Sequence, residues 1–110
     1  MASTFDNLAA AVDWLDYYRA RSLRVLDLYA EDANIICGCR NGKRLNGRPL
    51  LRSYWVSRFE EKPALDLIDL EDWRAGIVAV SYRTNIDVVR AILSFDMATG
   101  LITHQRCGPL

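Results

Sequence analysis

Three thiols and one imidazole, Cys37, Cys39, Cys107 and His104, are the side chains of this 110-residue sequence with nucleophilic or metal-binding chemistry near neutral pH. A C-x-C pair without a second close pair is weak spacing for a tetrahedral metal site, so no metal is expected. A thiol attacks as thiolate and needs electropositive, accessible surroundings. Cys37 is therefore either a nucleophile of that kind or a small buried hydrophobe. The carboxylates Asp66, Asp69, Glu71 and Asp72 spread over both faces of a strand, which separates them too far for paired acid/base work and places them at an edge or rim. Arg40, Lys43, Arg44 and Arg48 gather around a turn, where they either hold an anion or decorate a solvated loop. Trp14, Tyr18, Tyr54, Trp55 and Phe59 recur at helical spacings and are a ligand cage, a core, or both.

Composition narrows the classes. The chain is 51% hydrophobic and 25% charged, as in an ordinary folded domain, and its length is enough for one continuous core, so a single domain over residues 1–110 is expected. With 14 basic and 14 acidic side chains the formal charge is zero, and no overall field draws the protein to nucleic acid or to an anionic membrane. Met1 to Asp6 carries neither the basic nor the apolar part of a secretion signal. No 18-residue apolar run is present, and three cysteines are an odd number, which with the absent signal predicts a cytoplasmic protein with reduced thiols.

The elements that must position these residues follow from periodicity. Leu8, Val12, Leu15 and Tyr18 predict an amphipathic helix from about Phe5 to Ala20. Ser22 caps a second, shorter helix that buries Leu23, Leu26 and Tyr29 and ends at Glu31-Asp32. Asn34 to Cys39 reads as a strand, Asn41-Gly42 as a two-residue hairpin turn, and Lys43 to Leu45 as the return strand. Gly47-Arg48-Pro49 opens a third helix, which runs to about Glu61 and closes before Pro63. Leu65 to Asp72, Ile77 to Arg83, Val88 to Asp96 and Leu101 to Cys107 are four strands, separated by Arg74-Ala75-Gly76, Thr84-Asn85 and Ala98-Thr99-Gly100. Helices before and within a run of antiparallel strands predict an α+β fold with the helices covering one face of a curved sheet.

Alternation assigns faces. Val89, Ala91, Leu93 and Phe95 share an apolar face, opposite Arg90, Ile92, Ser94 and Asp96. On the last strand Leu101, Thr103, Gln105 and Cys107 alternate with Ile102, His104 and Arg106, and a one-residue slip would exchange Gln105 for His104. Ile92, Ile102, Val78 and Val80 are expected on the outer face, where a second copy would cover them and make a homodimer.

Leu28-Tyr29-Ala30-Glu31-Asp32-Ala33, then Asn46-Gly47-Arg48 opening a helix, then Phe95-Asp96 through Gly100 into Leu101-Ile102 and a terminal Gly108-Pro109 together resemble the nuclear-transport-factor-2-like superfamily, which includes the SnoaL-like cyclases and ketosteroid isomerases. The resemblance implies a cystatin-like cone with an apolar pocket, and relatives that pair sheet to sheet. It places Cys37 where the isomerases carry their general base and Ala91 where they carry an oxyanion-binding acid, so both carboxyl groups are missing. Trp14 falls nearest the pocket tyrosine of the first helix, with Tyr17 and Tyr18 one turn on, and Trp55 matches a pocket aromatic of the third helix. The Gln105 set is the inward one in the same matching.

The expected pocket is thus lined by Trp14, Tyr17, Tyr18, Cys37, Cys39, Trp55, Phe59, Ala91, Thr103, Gln105 and Cys107, with no cofactor. None of these groups is a strong acid or base at pH 7. That inventory suits a protein that binds a small hydrophobic molecule or dimerises. The alternative is a small-molecule enzyme of isomerase, cyclase or hydratase type, with a pocket tyrosine or Cys37 polarising a carbonyl.

Overall fold

The computed structural model describes residues 6–38 and 43–109. Asp6 caps the first helix, α1 (Asn7–Arg19), by accepting a hydrogen bond from the Ala9 N–H at 3.0 Å. Ala11, Trp14, Leu15 and Tyr18 are its buried stripe. Ser22 caps a 3₁₀ helix, Leu23–Leu28, through the Arg24 N–H. The segment from Tyr29 to Asp32, expected to finish that helix, is instead the start of a strand, β1 (Tyr29–Cys37). A register irregularity between Tyr29 and Asn34 disrupts the alternation there, which is why the stretch did not read as a strand.

The remaining elements are β2 (Lys43–Asn46), α2 (Arg48–Glu61), β3 (Ala64–Arg74), β4 (Ile77–Thr84), β5 (Val88–Phe95) and β6 (Ile102–Pro109). The six strands form one curved, open sheet in the order β2-β1-β6-β5-β4-β3. All neighbours are antiparallel except β1 and β6, which run parallel, so the expected all-antiparallel sheet has one exception. Gly47, at φ 87°, turns the chain from β2 into α2, and Arg48 locks the start of that helix by donating to the carbonyls of Leu26 and Tyr29. Arg48 is therefore a brace rather than part of a solvated basic loop. Arg40, Asn41 and Gly42, the expected turn, lie outside the described residues, as does Phe5.

The helices cover the inner face. Val78, Val80, Tyr82, Val89, Ala91, Leu93, Ile35 and Cys37 are buried there with Trp14, Tyr18 and Trp55. Val78, Val80 and Ile102, expected on the outer face, are completely buried in this core; of that set only Ile92 stands on the opposite face, half-buried between Arg90 and Ser94. Ile102 turns inward because a bulge at Thr103 breaks the alternation of β6: Ser94 pairs with His104 while Phe95 pairs with Ile102. No helix among the described residues is long and apolar enough to cross a membrane.

Candidate functional site

The inner wall opposite α2 is built from small side chains. Cys37 of β1 pairs directly with Cys107 of β6, and Cys107 with Ala91 of β5, so three adjacent strands present a thiol, a thiol and a methyl in a row. Facing them is the stripe of α2: Leu51, Tyr54, Trp55, Arg58 and Phe59 are all buried, at the i, i+3, i+4, i+7, i+8 spacing of one helix face. Four members of that stripe are apolar or aromatic. The fifth is a guanidinium.

Arg58 is 97% buried, with only 3% of its surface exposed. Its Nε donates to the Tyr18 hydroxyl at 2.8 Å and its Nη2 to the Tyr82 hydroxyl at 3.1 Å, while Nη1 approaches the Cys37 sulfur at 3.9 Å. The same guanidinium lies 6.0 Å from the Tyr18 ring centre and 5.9 Å from that of Tyr54. No carboxylate lies within ion-pair distance of Arg58 among the described residues. Burial opposes its charge, but the surrounding Tyr54, Tyr82 and Tyr18 oxygens favour it, and the group stays protonated.

Its neighbours do not supply the missing negative charge. Burial pushes the hydroxyls of Tyr18, Tyr54 and Tyr82 above the ordinary phenol range, and the pull of Arg58 toward phenolate does not offset it. The Cys107 thiol is pushed up by its contact with Cys37 and by burial, so it too stays neutral. Tyr54 and Cys107 meet at 3.6 Å across the gap between helix and wall.

Deeper in the cone a second polar chain runs from Trp14 through Tyr29 to Gln105: the Trp14 indole donates to the Tyr29 hydroxyl at 3.0 Å, and that hydroxyl donates to the Gln105 amide oxygen. Trp55 turns its indole N–H toward Tyr29 without reaching hydrogen-bond geometry, and is left as a buried donor with no acceptor. Trp14, Tyr18, Trp55 and Tyr82 pack edge to face, with ring centres 5.0–5.8 Å apart. Trp14 and Trp55 have 0% exposure, so no space of water size touches either ring. Tyr54 and Phe59, on the same helix face as Arg58, keep 4% and 7% exposure.

Of the expected lining, Trp14, Tyr18, Cys37, Trp55, Phe59, Ala91, Gln105 and Cys107 converge on this interior. Tyr17 is only half-buried on the flank of α1, its ring covered by Arg24 at 5.8 Å. Thr103 sits at the bulge, half-buried, and its hydroxyl donates to the Ser94 carbonyl rather than joining Gln105. Cys39 lies outside the described residues. His104 alternates with Gln105 and hydrogen-bonds Asn34 across β1 and β6. Among the described residues no three His, Cys, Asp or Glu side chains come together as a metal site. Arg58, Tyr82 and Tyr29 were absent from the expected lining. The signal for Arg58 was its place in the apolar stripe of α2, where a solvated arginine does not belong.

A separate surface groove of about 360 Å³ is lined by Leu65, Arg83, Thr84, Asn85, Ile86, Asp87 and Val88. It is connected to the interior through one ion pair. Asp87 bonds Lys62 at 2.8 Å, and the Lys62 carbonyl accepts the Tyr18 hydroxyl proton.

No family profile and no curated protein matches this sequence. Solved structures do. A SnoaL-like protein of unknown function from Burkholderia thailandensis superposes with a TM-score of 0.80 at 16% identity, covering 91% of each chain. The epoxide hydrolase/cyclase-like enzyme SalBIII, of pyran ring formation in the polyether salinomycin, gives 0.77 at 16% identity over 94% of this chain and 90% of its own. An NTF-2-like protein of unknown function from Burkholderia xenovorans gives 0.74 at 15% identity, over 94% and 81%. The chain has the SnoaL-like, NTF-2-like cone fold.

Proposed function

We propose that this cone is a binding module that takes up a small, largely hydrophobic molecule at its Arg58 end and carries out no proton-transfer chemistry on it. The observation that carries the reading is the inner wall itself. Cys37, Cys107 and Ala91 occupy neighbouring buried positions on three strands, where a proton-transferring site would be expected to carry a carboxylate or an imidazole. A fold hosts many functions, so the likeness to SalBIII does not bring its chemistry to this wall.

The hydroxyl protons argue the same way against an isomerase-type or cyclase-type use of tyrosine. Tyr18 gives its proton to the Lys62 carbonyl and Tyr29 gives its own to Gln105, so neither is poised to polarise a substrate carbonyl. Of the four residues expected on the outer sheet face only Ile92 stands there, since Val78, Val80 and Ile102 lie inside, and the exposed apolar side chains of the sheet are instead on β3, at Leu65, Leu67, Ile68 and Trp73. The interior is the better-built site.

An occupant must displace side chains of the α2 stripe, and Tyr54 and Phe59, which keep the most exposure in it, are the ones to move. Both touch the Trp55 ring, at 5.3 and 5.7 Å between centres, so occupancy should change tryptophan fluorescence. Titration with a panel of flat hydrophobic molecules is expected to give a saturable change and a raised melting temperature for some members, with no chemical turnover by mass spectrometry. A panel without any fluorescence or melting response, or a member that is converted, would overturn the proposal.

A further inference from the structure

We propose that Cys37 and Cys107 are a redox pair, which hydrogen peroxide joins reversibly as a disulfide between β1 and β6. No occupant of the cone is needed for it. The first ground is register. The two residues are direct partners on parallel neighbouring strands, and their thiols are in contact. Adjacent strands lie about 4.8 Å apart, inside the roughly 4.4–6.8 Å between Cα atoms that a disulfide spans, so the bond forms without opening the wall. Both cysteines are free.

The second ground is the difference between the two sulfurs. Arg58 Nη1 lies 3.9 Å from the Cys37 Sγ, whereas the Cys107 Sγ meets the uncharged Tyr54 hydroxyl at 3.6 Å. A guanidinium beside a thiol favours the thiolate, which is the form that attacks. Arg58 also attracts Asp87, but that carboxylate is bonded to Lys62 and Thr84, and the group in contact with the guanidinium is the thiol. Cys37 is therefore the attacking sulfur and Cys107 the resolving one.

Access selects the oxidant. Cys37 and Cys107 keep 1% and 3% exposure, which shuts out bulky or charged reagents, while hydrogen peroxide is uncharged and close to water in size. The Cys37 thiolate attacks one peroxide oxygen, the O–O bond breaks, and the departing hydroxide takes up the proton that the thiol gave away, leaving a sulfenic acid on Cys37 and one water. Cys107 then attacks the Cys37 sulfur and the S–O bond breaks. The hydroxide released there takes the Cys107 proton as a second water. One peroxide is thus reduced to two waters as two thiols are oxidised to one disulfide, and a dithiol reductant reverses the change. Arg58 and Tyr54, which touch the two sulfurs, both belong to α2, so oxidation alters what that helix faces.

The test treats the reduced wild-type protein with hydrogen peroxide at pH 7 and follows it by intact mass and by peptide mapping without reductant, with fragmentation of the crosslinked peptide to place the bond. Met97, which is 47% exposed, serves as an internal clock, since an exposed thioether gains oxygen without help from the fold. The expected product has lost two hydrogens, carries a Cys37–Cys107 bond before Met97 gains oxygen, and returns to the starting mass with dithiothreitol. Cys39→Ser should form the same bond, and Cys107→Ala should leave a sulfenic acid on Cys37 that dimedone captures on unfolding. Arg58→Met should slow the reaction about tenfold at pH 7 and move its pH midpoint upward, because the charge that favours the thiolate is gone, while Arg58→Lys keeps most of the rate. The wild-type mapping decides even if a variant fails to fold. A bond through Cys39, a link between chains, or Met97 oxidised while both thiols stay reduced would overturn the proposal, and an unchanged rate in folded Arg58→Met would overturn the assignment of Cys37 as the attacking sulfur.

Discussion

Inside the cone a single guanidinium meets no carboxylate; along β3 a row of carboxylates stands in water beside arginines that barely reach them. Asp66 lies 3.9 Å from Arg83 and Glu71 3.9 Å from Arg90, and all four side chains are substantially exposed. The formal charges are alike but their surroundings are not. Two unit charges 4 Å apart interact by about 1 kcal/mol in bulk water and about 4 kcal/mol at the effective dielectric of a protein site. The edge strand can thus hold many charges with little consequence for the fold, whereas the same charge at Arg58 interacts several-fold more strongly with whatever lies beside it. Charge count, which is balanced over the whole chain, conceals this difference.

The comparison breaks most visibly in the aromatic core. Trp14→Ala removes a fully buried ring packed on Tyr18, Trp55 and Tyr82 and the donor to Tyr29, and is expected to cost about 3–5 kcal/mol in urea unfolding. A loss below about 1 kcal/mol would mean that the closed end of the cone is loosely filled. Next in size, Cys37→Trp pushes a large ring into the wall facing Arg58 and should cost about 1–3 kcal/mol by overpacking while abolishing ligand response. Unchanged melting together with lost binding would show an open cavity there instead of a closed wall.

A smaller effect is expected from pH. Burial, with Arg106 and Arg44 nearby, holds the His104 pKa below its ordinary value. The folded state then prefers the neutral imidazole. Its contribution to stability is complete above the unfolded value of about 6.5 and is lost as pH falls through the lower folded value. The melting temperature of the wild type should therefore drop between pH 7 and pH 5 by more than that of His104→Gln; parallel curves would contradict the assignment. Smallest of all, Asp66→Asn on the exposed edge should leave the melting temperature within error, since a solvated pair at 3.9 Å contributes little. A clear shift would mean that β3 is less open to water than its exposure indicates.

Much of the fold was legible from periodicity because helix stripes and strand alternation each follow from burial on one face. The third helix, expected from Gly47-Arg48-Pro49 to about Glu61, spans Arg48–Glu61. Two features escaped because they interrupt the period: the irregularity in β1 hid Tyr29 to Asp32 as a strand, and the bulge at Thr103 reversed Ile102. The site was legible in part. Small and aromatic lining residues follow from alternation, but a polar residue on an apolar stripe looks like an error of phase unless its partners are known. Arg58 gains its meaning from Tyr18, Tyr82 and Cys37, which come from three other elements and lie 40, 24 and 21 residues away.

The central claim is that Arg58 is kept for binding and not for holding the fold. Tyr18 retains the Lys62 carbonyl when the guanidinium is removed, so its hydroxyl is not orphaned by the change. Urea unfolding of Arg58→Met without ligand tests this directly. A buried, uncompensated charge exchanged for an apolar side chain of similar length is expected to leave the protein as stable as the wild type or more so, by up to about 1–4 kcal/mol. A loss of about 3 kcal/mol or more, the usual cost of breaking a satisfied buried pair, would make Arg58 a structural crosslink and contradict the account.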